Sequence, residues 1–127
     1  MKTFKNFIFE SNEPPKGYEH HLKDEHAIAD HIEKTSADEV DRGSMLDYFH
    51  GAEAKLKKTP LSDIKSGDAD HNIPSKKKQA KYSKMPSETR PPIVIEKGTV
   101  VDGHHRYRDA VKKGETHVWA YHVIDRD

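Results

Sequence analysis

The clearest pattern of apolar and polar positions lies in the last third of the 127-residue chain. Residues 92–95 form an apolar run that predicts a strand, and residues 96–99 predict a hairpin turn. Residues 100–101 continue as a second short strand, and residues 117–124 predict a third. Short apolar runs bounded by turn residues are typical of buried strands. This part of the chain is therefore expected to build a sheet.

A short helix is predicted between the last two of these strands. Asp102 occupies the position of an N-cap, whose side chain accepts a hydrogen bond from an amide of the first turn. Tyr107, Ala110 and Val111 are spaced i, i+3 and i+4, so they are expected to face the core. Gly114 is expected at the C′ position that ends the helix. The helix would therefore be polar at its start and apolar along one side.

The N-terminal half shows a helical pattern instead. Residues 18–34 predict one helix, and a second is expected to begin at Ser36, with Glu39 completing a capping box. This second helix is interrupted near Gly43, and residues 44–47 indicate a further start. The apolar residues of that last helix are Leu46, Phe49 and Leu56.

Between the two halves, residues 59–64 predict an edge strand, because Pro60 has no amide to donate. Residues 65–75 indicate a loop, and residues 76–84 a basic helix. Together the segments predict an α+β fold with a mixed sheet and flanking helices. We expect a leader and linker at 1–17, a helical arm at 18–58 and the main domain at 59–127.

The amino-acid composition excludes several classes of function. Lys and Arg together number 22, as do Asp and Glu, so no net charge draws the chain toward nucleic acid or membrane. Cysteine is absent, which excludes thiolate nucleophiles and disulfides. No apolar run approaches the roughly 20 residues that a membrane span needs. Four histidines at positions 20, 21, 26 and 31 are expected to lie on a solvated helix face.

The turn at residues 102–106 concentrates the candidate chemistry. Helix N-termini bind anions through their free amides, and Gly103 permits a close backbone approach. His104 and His105 can act as acid or base near neutral pH, and Arg106 can bind a phosphate with two parallel hydrogen bonds. Asp102 could hold Mg²⁺. These residues predict a phosphate site with Asp102, His104 and His105 as catalytic candidates.

A purely structural role for the same residues stays open. Asp102 can serve as a plain cap, and Arg106 can pair with Asp102 or Asp109. One of the two adjacent histidines is expected to be structural, because neighbouring residues on a helix point about 100° apart.

Three segments, 59–64, 91–95 and 101–110, resemble the ParB/sulfiredoxin-like superfamily. The resemblance implies nucleotide binding, with ATP, ADP or CTP held by Gly103, His104, His105 and Arg106. It also implies phosphoryl transfer or nucleotide hydrolysis, or else DNA binding or nicking. Where sulfiredoxins carry a reactive cysteine, this chain has His104, so that redox chemistry is not expected.

Two other segments suggest partners. Lysines of the basic helix, with Arg90, could contact phosphates of a nucleotide or DNA; they are Lys76, Lys77, Lys78 and Lys81. Residues 1–10 resemble the capsid-targeting leader of tailed-phage internal proteins, with cleavage between Glu10 and Ser11. That resemblance implies a phage protein, located in the cytoplasm of a bacterial host or inside the virion. A packaged protein that binds the phage capsid or a host protein is therefore a third hypothesis.

Overall fold

The computed structural model describes residues 13–36, 40–66 and 90–125. Within these ranges the chain folds into a five-stranded mixed sheet with three α-helices, so the α+β class is confirmed. The strands are β1 (His21–Leu22), β2 (Ala52–Pro60), β3 (Ile93–Glu96), β4 (Thr99–Asp102) and β5 (His117–Asp125). The helices are α1 (Glu25–Thr35), α2 (Arg42–Tyr48) and α3 (His104–Lys112). None of these three helices is long and apolar enough to cross a bilayer.

The strands lie in the order β1-β2-β5-β3-β4. β3 runs parallel to β5, and every other neighbouring pair is antiparallel. The long β2–β5 ladder aligns Ala52 with Asp125 at one end and Pro60 with His117 at the other. This ladder ties the N-terminal half of the chain to its last strand.

Each face of the sheet has its own core, because successive side chains of a strand point to opposite faces. Val94 of β3 packs on the face covered by α1 and α2, together with Ile28 and Phe49. Its neighbours Ile93 and Ile95 pack on the other face, where Tyr107 of α3 lies against them. The sheet is therefore the middle layer between two sets of helices.

The predicted helix at 18–34 is shorter than expected. Its first part is the strand β1, which pairs with Ala54 and Lys55 of β2. α1 begins only after Asp24, whose side chain accepts a hydrogen bond from the Ala27 amide at 3.0 Å. Ser36, the predicted start of a second helix, is instead the C-cap of α1. Glu39 lies outside the described residues.

The predicted helical arm at 18–58 also includes the strand β2. α2 starts earlier than predicted, because Asp41 caps it through the amides of Gly43 and Ser44. The helix ends at Tyr48, and Gly51 turns the chain with a left-handed φ of 77°. The prediction of a helix reaching Leu56 is therefore wrong, and the predicted boundary at 58/59 falls inside β2.

Residues 59–64 are not an edge strand. Thr59 and Pro60 end β2, and a 3-10 turn follows at Leu61–Asp63. Pro60 is accommodated because β1 pairs only with residues 54 and 55, so within the described ranges Pro60 has β5 as its one strand partner.

The strands, the hairpin turn and the helix predicted for the C-terminal part of the chain are confirmed. Lys97 and Gly98 form the turn between β3 and β4 with φ of 52° and 81°, the signature of a two-residue hairpin. α3 ends as predicted, with Gly114 at φ 74° and its amide bonded to the Val111 carbonyl. Ala110 is buried, but Val111 is 52% exposed, so its predicted core position is wrong.

Candidate functional site

The turn between β4 and α3 depends on Gly103. This residue is the N-cap of α3 and has a left-handed φ of 98°. A Cβ at this position would lie 2.7 Å from Cγ2 of Ile93 and 3.0 Å from Nη2 of Arg106. The predicted N-cap, Asp102, is the last residue of β4 instead. Glycine is therefore required here both by the backbone angle and by the lack of space.

Arg106 points into the protein. Its side chain is 2% exposed, and its guanidinium donates to the carbonyls of Pro91 and Pro92 at 3.3 Å and 2.9 Å. It also pairs with Oδ2 of Asp102 at 2.9 Å. The predicted phosphate contact is thus replaced by protein acceptors, since buried carbonyls and a buried carboxylate need donors. The alternative pairing of Arg106 with Asp102 is confirmed.

The pKa values of Asp102 and His104 are shifted in opposite directions. Burial raises the pKa of the Asp102 carboxyl above its usual range, against the lowering effect of the Arg106 guanidinium. Burial lowers the pKa of the His104 imidazole, although the Asp102 carboxylate and the carbonyls of Val100 and Ser66 favour its charged form. His104 is therefore neutral at neutral pH, with one ring nitrogen able to accept a proton.

A cleft of about 700 Å³ opens beside these two residues, between β4 and the pair of helices α1 and α2. Val94 pairs with Asp102, so the Asp102 side chain lies on the sheet face that those helices cover. One wall is apolar and includes Ile32, Val40, Met45 and Phe49. Polar residues lie along the cleft: Ser44, Tyr48, Thr99, Asp102 and His104. This cleft was not predicted from the sequence, because its helical wall carries no recognisable motif.

His105 does not line the cleft, although it is the next residue along the helix. It is half-buried. The structure therefore places Asp102 and His104 at the cleft, whereas Gly103, His105 and Arg106 do not line it.

His31 is a buried polar residue that the sequence analysis placed in solvent. Its ring lies between Tyr18 and Tyr121, with centroids at 5.6 Å and 4.7 Å, and its Nε2 donates to the Pro92 carbonyl at 2.9 Å. Burial lowers its pKa to about 4. The spacing i, i+3, i+4 of Ile28, His31 and Ile32 was the signal that could have placed it inside. His31 and Arg106 therefore hold the same carbonyl from two different helices.

The far end of α3 holds a second buried ion cluster. Arg90 pairs with Asp109 at 2.9 Å and with Glu115 at 2.7 Å, and Lys113 reaches Asp109 at 3.1 Å. Against the lowering effect of burial, the two carboxylates raise the pKa of Arg90. Arg90 was predicted to meet phosphates, but it is 3% exposed and holds protein carboxylates instead.

The predicted Mg²⁺ ligand, Asp102, already accepts from Arg106 and from the Gly103 amide. No three of His, Cys, Asp and Glu cluster as metal ligands in the described ranges. Proteins usually hold Mg²⁺ through one or two free carboxylates together with waters and substrate phosphates. Because the Asp102 carboxylate is already engaged by protein donors, the described residues by themselves do not fit a magnesium site.

Several predicted residues lie outside the described part of the chain. They are the candidate nucleic-acid contacts Lys76, Lys77, Lys78 and Lys81, and the leader residues Glu10 and Ser11. Their predicted roles stay predictions.

No protein-family model, curated protein or solved structure matches this chain. The resemblance to ParB/sulfiredoxin-like proteins therefore stands on the three sequence segments named above. The geometry of the cleft and of the α3 N-terminus comes from the chain's own residues.

Proposed function

We propose that this chain is a ParB/sulfiredoxin-like domain that binds a nucleotide in the cleft between β4 and the α1–α2 pair. The observation that supports this most is the cleft itself, which joins an apolar wall to the N-terminal turn of α3. Its volume of about 700 Å³ lies within the range of small-molecule sites. A nucleotide has the matching division into a flat, weakly polar base and a charged phosphate chain.

The phosphates lie at the N-terminus of α3 in this proposal. The helix begins with a glycine, so the N-cap residue offers no side chain to its first amides, which can donate to phosphate oxygens. Because Arg106 neutralises Asp102, that carboxylate repels a phosphate less than it would alone. Arg106 acts here as a positioning residue, not as a phosphate ligand.

His104 supplies the chemistry at the phosphate end. Its half-buried imidazole lines the cleft and is neutral at neutral pH because burial lowers its pKa. A neutral imidazole can accept the proton of an attacking water or hydroxyl group, which extends the proposal from binding to nucleotide hydrolysis or phosphoryl transfer.

Titration calorimetry with ATP, ADP and CTP, each with and without Mg²⁺, tests the proposal. In this proposal the His104 side chain also contacts the phosphate chain. We expect binding by the wild type and about tenfold weaker binding by His104→Gln, because that contact, worth about 1.4 kcal/mol, is lost. Release of inorganic phosphate from ATP, abolished in the same variant, tests the catalytic step.

His26→Gln is the matched control, because His26 is an exposed histidine on the outside of α1. It should bind like the wild type. If none of the three nucleotides binds, or if His104→Gln binds as tightly as the wild type, the proposed site is wrong.

A further inference from the structure

Tyr48 stands out among the residues that line the cleft. It is the last residue of α2 and remains 60% exposed, more than Val111 and Ile124, the other exposed large apolar residues among those that the structure describes. Those two do not line the cleft. An exposed aromatic ring leaves apolar surface in water, and a ligand can recover that free energy by covering it.

The Tyr48 ring is nevertheless held in one orientation. Its hydroxyl donates to Oε1 of Glu96 at 2.7 Å, which ties the end of α2 to β3. On its other side, the ring meets Phe49 at a centroid distance of 4.8 Å and an angle of 87°. A ring fixed in this way loses little conformational entropy when a flat ligand stacks on it.

The separation between Tyr48 and His104 along β4 matches the length of a nucleotide. Glu96, which holds the hydroxyl, pairs with Thr99 at the start of β4, and Asp102 lies at the end of that strand. Three residues of extended strand span about 10 Å. Tyr48 and His104 therefore lie toward opposite ends of β4, as a base and a phosphate chain do in one ligand.

We infer that Tyr48 is the specificity-determining residue of the cleft and stacks on the base of the bound nucleotide. This inference rests on the proposed function and adds the part of the ligand that the α3 terminus does not recognise. Stacking makes the base contribute to affinity, so a nucleotide binds more tightly than a phosphate chain alone. Every base has a flat face, so Tyr48 favours nucleotides over base-free phosphates and discriminates weakly among bases.

Calorimetric titration of the full chain with ATP, CTP and inorganic tripolyphosphate tests this inference. For the wild type we expect nucleotides to bind at least about tenfold more tightly than tripolyphosphate. In Tyr48→Ala the affinity for nucleotides should fall about tenfold or more, while the affinity for tripolyphosphate stays the same. Tyr48→Phe keeps the ring and loses the hydroxyl that donates to Glu96, so it should bind within about threefold of the wild type.

Val111→Ala controls for the loss of an exposed apolar side chain outside the cleft and should bind like the wild type. If nucleotides bind and Tyr48→Ala binds them equally well, the stacking role is overturned while the proposed function stands. Equal losses for nucleotides and tripolyphosphate also overturn it, because Tyr48 would then act on the phosphate end. If the wild type binds no nucleotide, the proposed function fails and the stacking role fails with it.

Discussion

Each end of α3 carries a buried ion pair between an arginine and an aspartate, but the two pairs have different surroundings. At the N-terminal end Arg106 pairs with Asp102, and at the C-terminal end Arg90 pairs with Asp109, each at 2.9 Å. Both arginines are almost fully buried. The carboxylates differ, since the Asp102 side chain is 13% exposed and lines the cleft, whereas Asp109 is completely buried.

This difference separates a site from a structural anchor. Around Asp109, charges of the protein itself surround the carboxylate, since Arg90 and Lys113 both reach it. Beside Asp102, the cleft and the start of the helix leave room for a ligand. A buried ion pair is therefore not by itself a sign of function. Whether a ligand can reach the pair separates a candidate site from a structural contact.

The largest expected effect on stability is at the C-terminal end of α3, where Asp109 is completely buried. Arg90→Met leaves Asp109 and Glu115 buried with one cation fewer, so the free energy of unfolding should fall by about 4 kcal/mol. Urea denaturation measures it. Arg42→Met is the control, because Arg42 pairs with Asp30 and Glu33 at the surface, so its removal should lower the free energy of unfolding far less than the removal of Arg90. Similar losses for the two variants would mean that the Arg90 cluster does not anchor α3.

The next effect is a loss of stability at low pH near the N-terminal end of α3, where His31 shares the Pro92 carbonyl with Arg106. Burial lowers the pKa of His31 to about 4 in the folded protein, and its usual value is 6.5. As the pH falls, the unfolded chain takes up the proton first, so stability is lost progressively from pH 6.5 toward pH 4. The complete loss corresponds to about 3 kcal/mol.

Urea denaturation across this pH range, for the wild type and for His31→Phe, isolates that contribution. The variant keeps an aromatic ring between Tyr18 and Tyr121 but cannot take up a proton. Its stability should therefore depend less steeply on pH, while His26→Gln should follow the wild type. Parallel curves for the wild type and His31→Phe would show that this histidine does not couple acid to stability.

The smallest expected difference, about 2 kcal/mol, is between alanine substitutions at the two glycines that flank α3. Both have left-handed φ, 98° at Gly103 and 74° at Gly114, so alanine is strained at either. Only at Gly103 does an added Cβ overlap a neighbour, Cγ2 of Ile93 at 2.7 Å; at Gly114 it meets nothing within 4 Å. Thermal or urea denaturation should show a loss of about 1 kcal/mol for Gly114→Ala and about 3 kcal/mol for Gly103→Ala. Equal losses would mean that the backbone at Gly103 moves to make room.

Local sequence was sufficient to predict the secondary-structure elements of the C-terminal third. The Lys97–Gly98 turn, the strand β5 and the end of α3 at Gly114 depend on residues close together in the chain, and all three were predicted. The prediction failed at β2, where Ala, Glu, Lys and Leu all favour a helix. Pairing with β5 along the whole strand outweighs that local preference, and this pairing joins residues more than fifty positions apart.

The features of the candidate site also divide into those predicted from local sequence and those set by tertiary structure. Sequence alone determined that a glycine turn with a histidine begins α3, because the turn and the helix are local. It could not determine the direction of Arg106, which depends on carbonyls 14 and 15 residues away, or the burial of His31, whose partner carbonyl is 61 residues away. The cleft likewise exists only once α1 and α2 lie over β4. Only tertiary structure decided these features, because a buried donor takes its direction from whichever distant acceptor the fold brings to it.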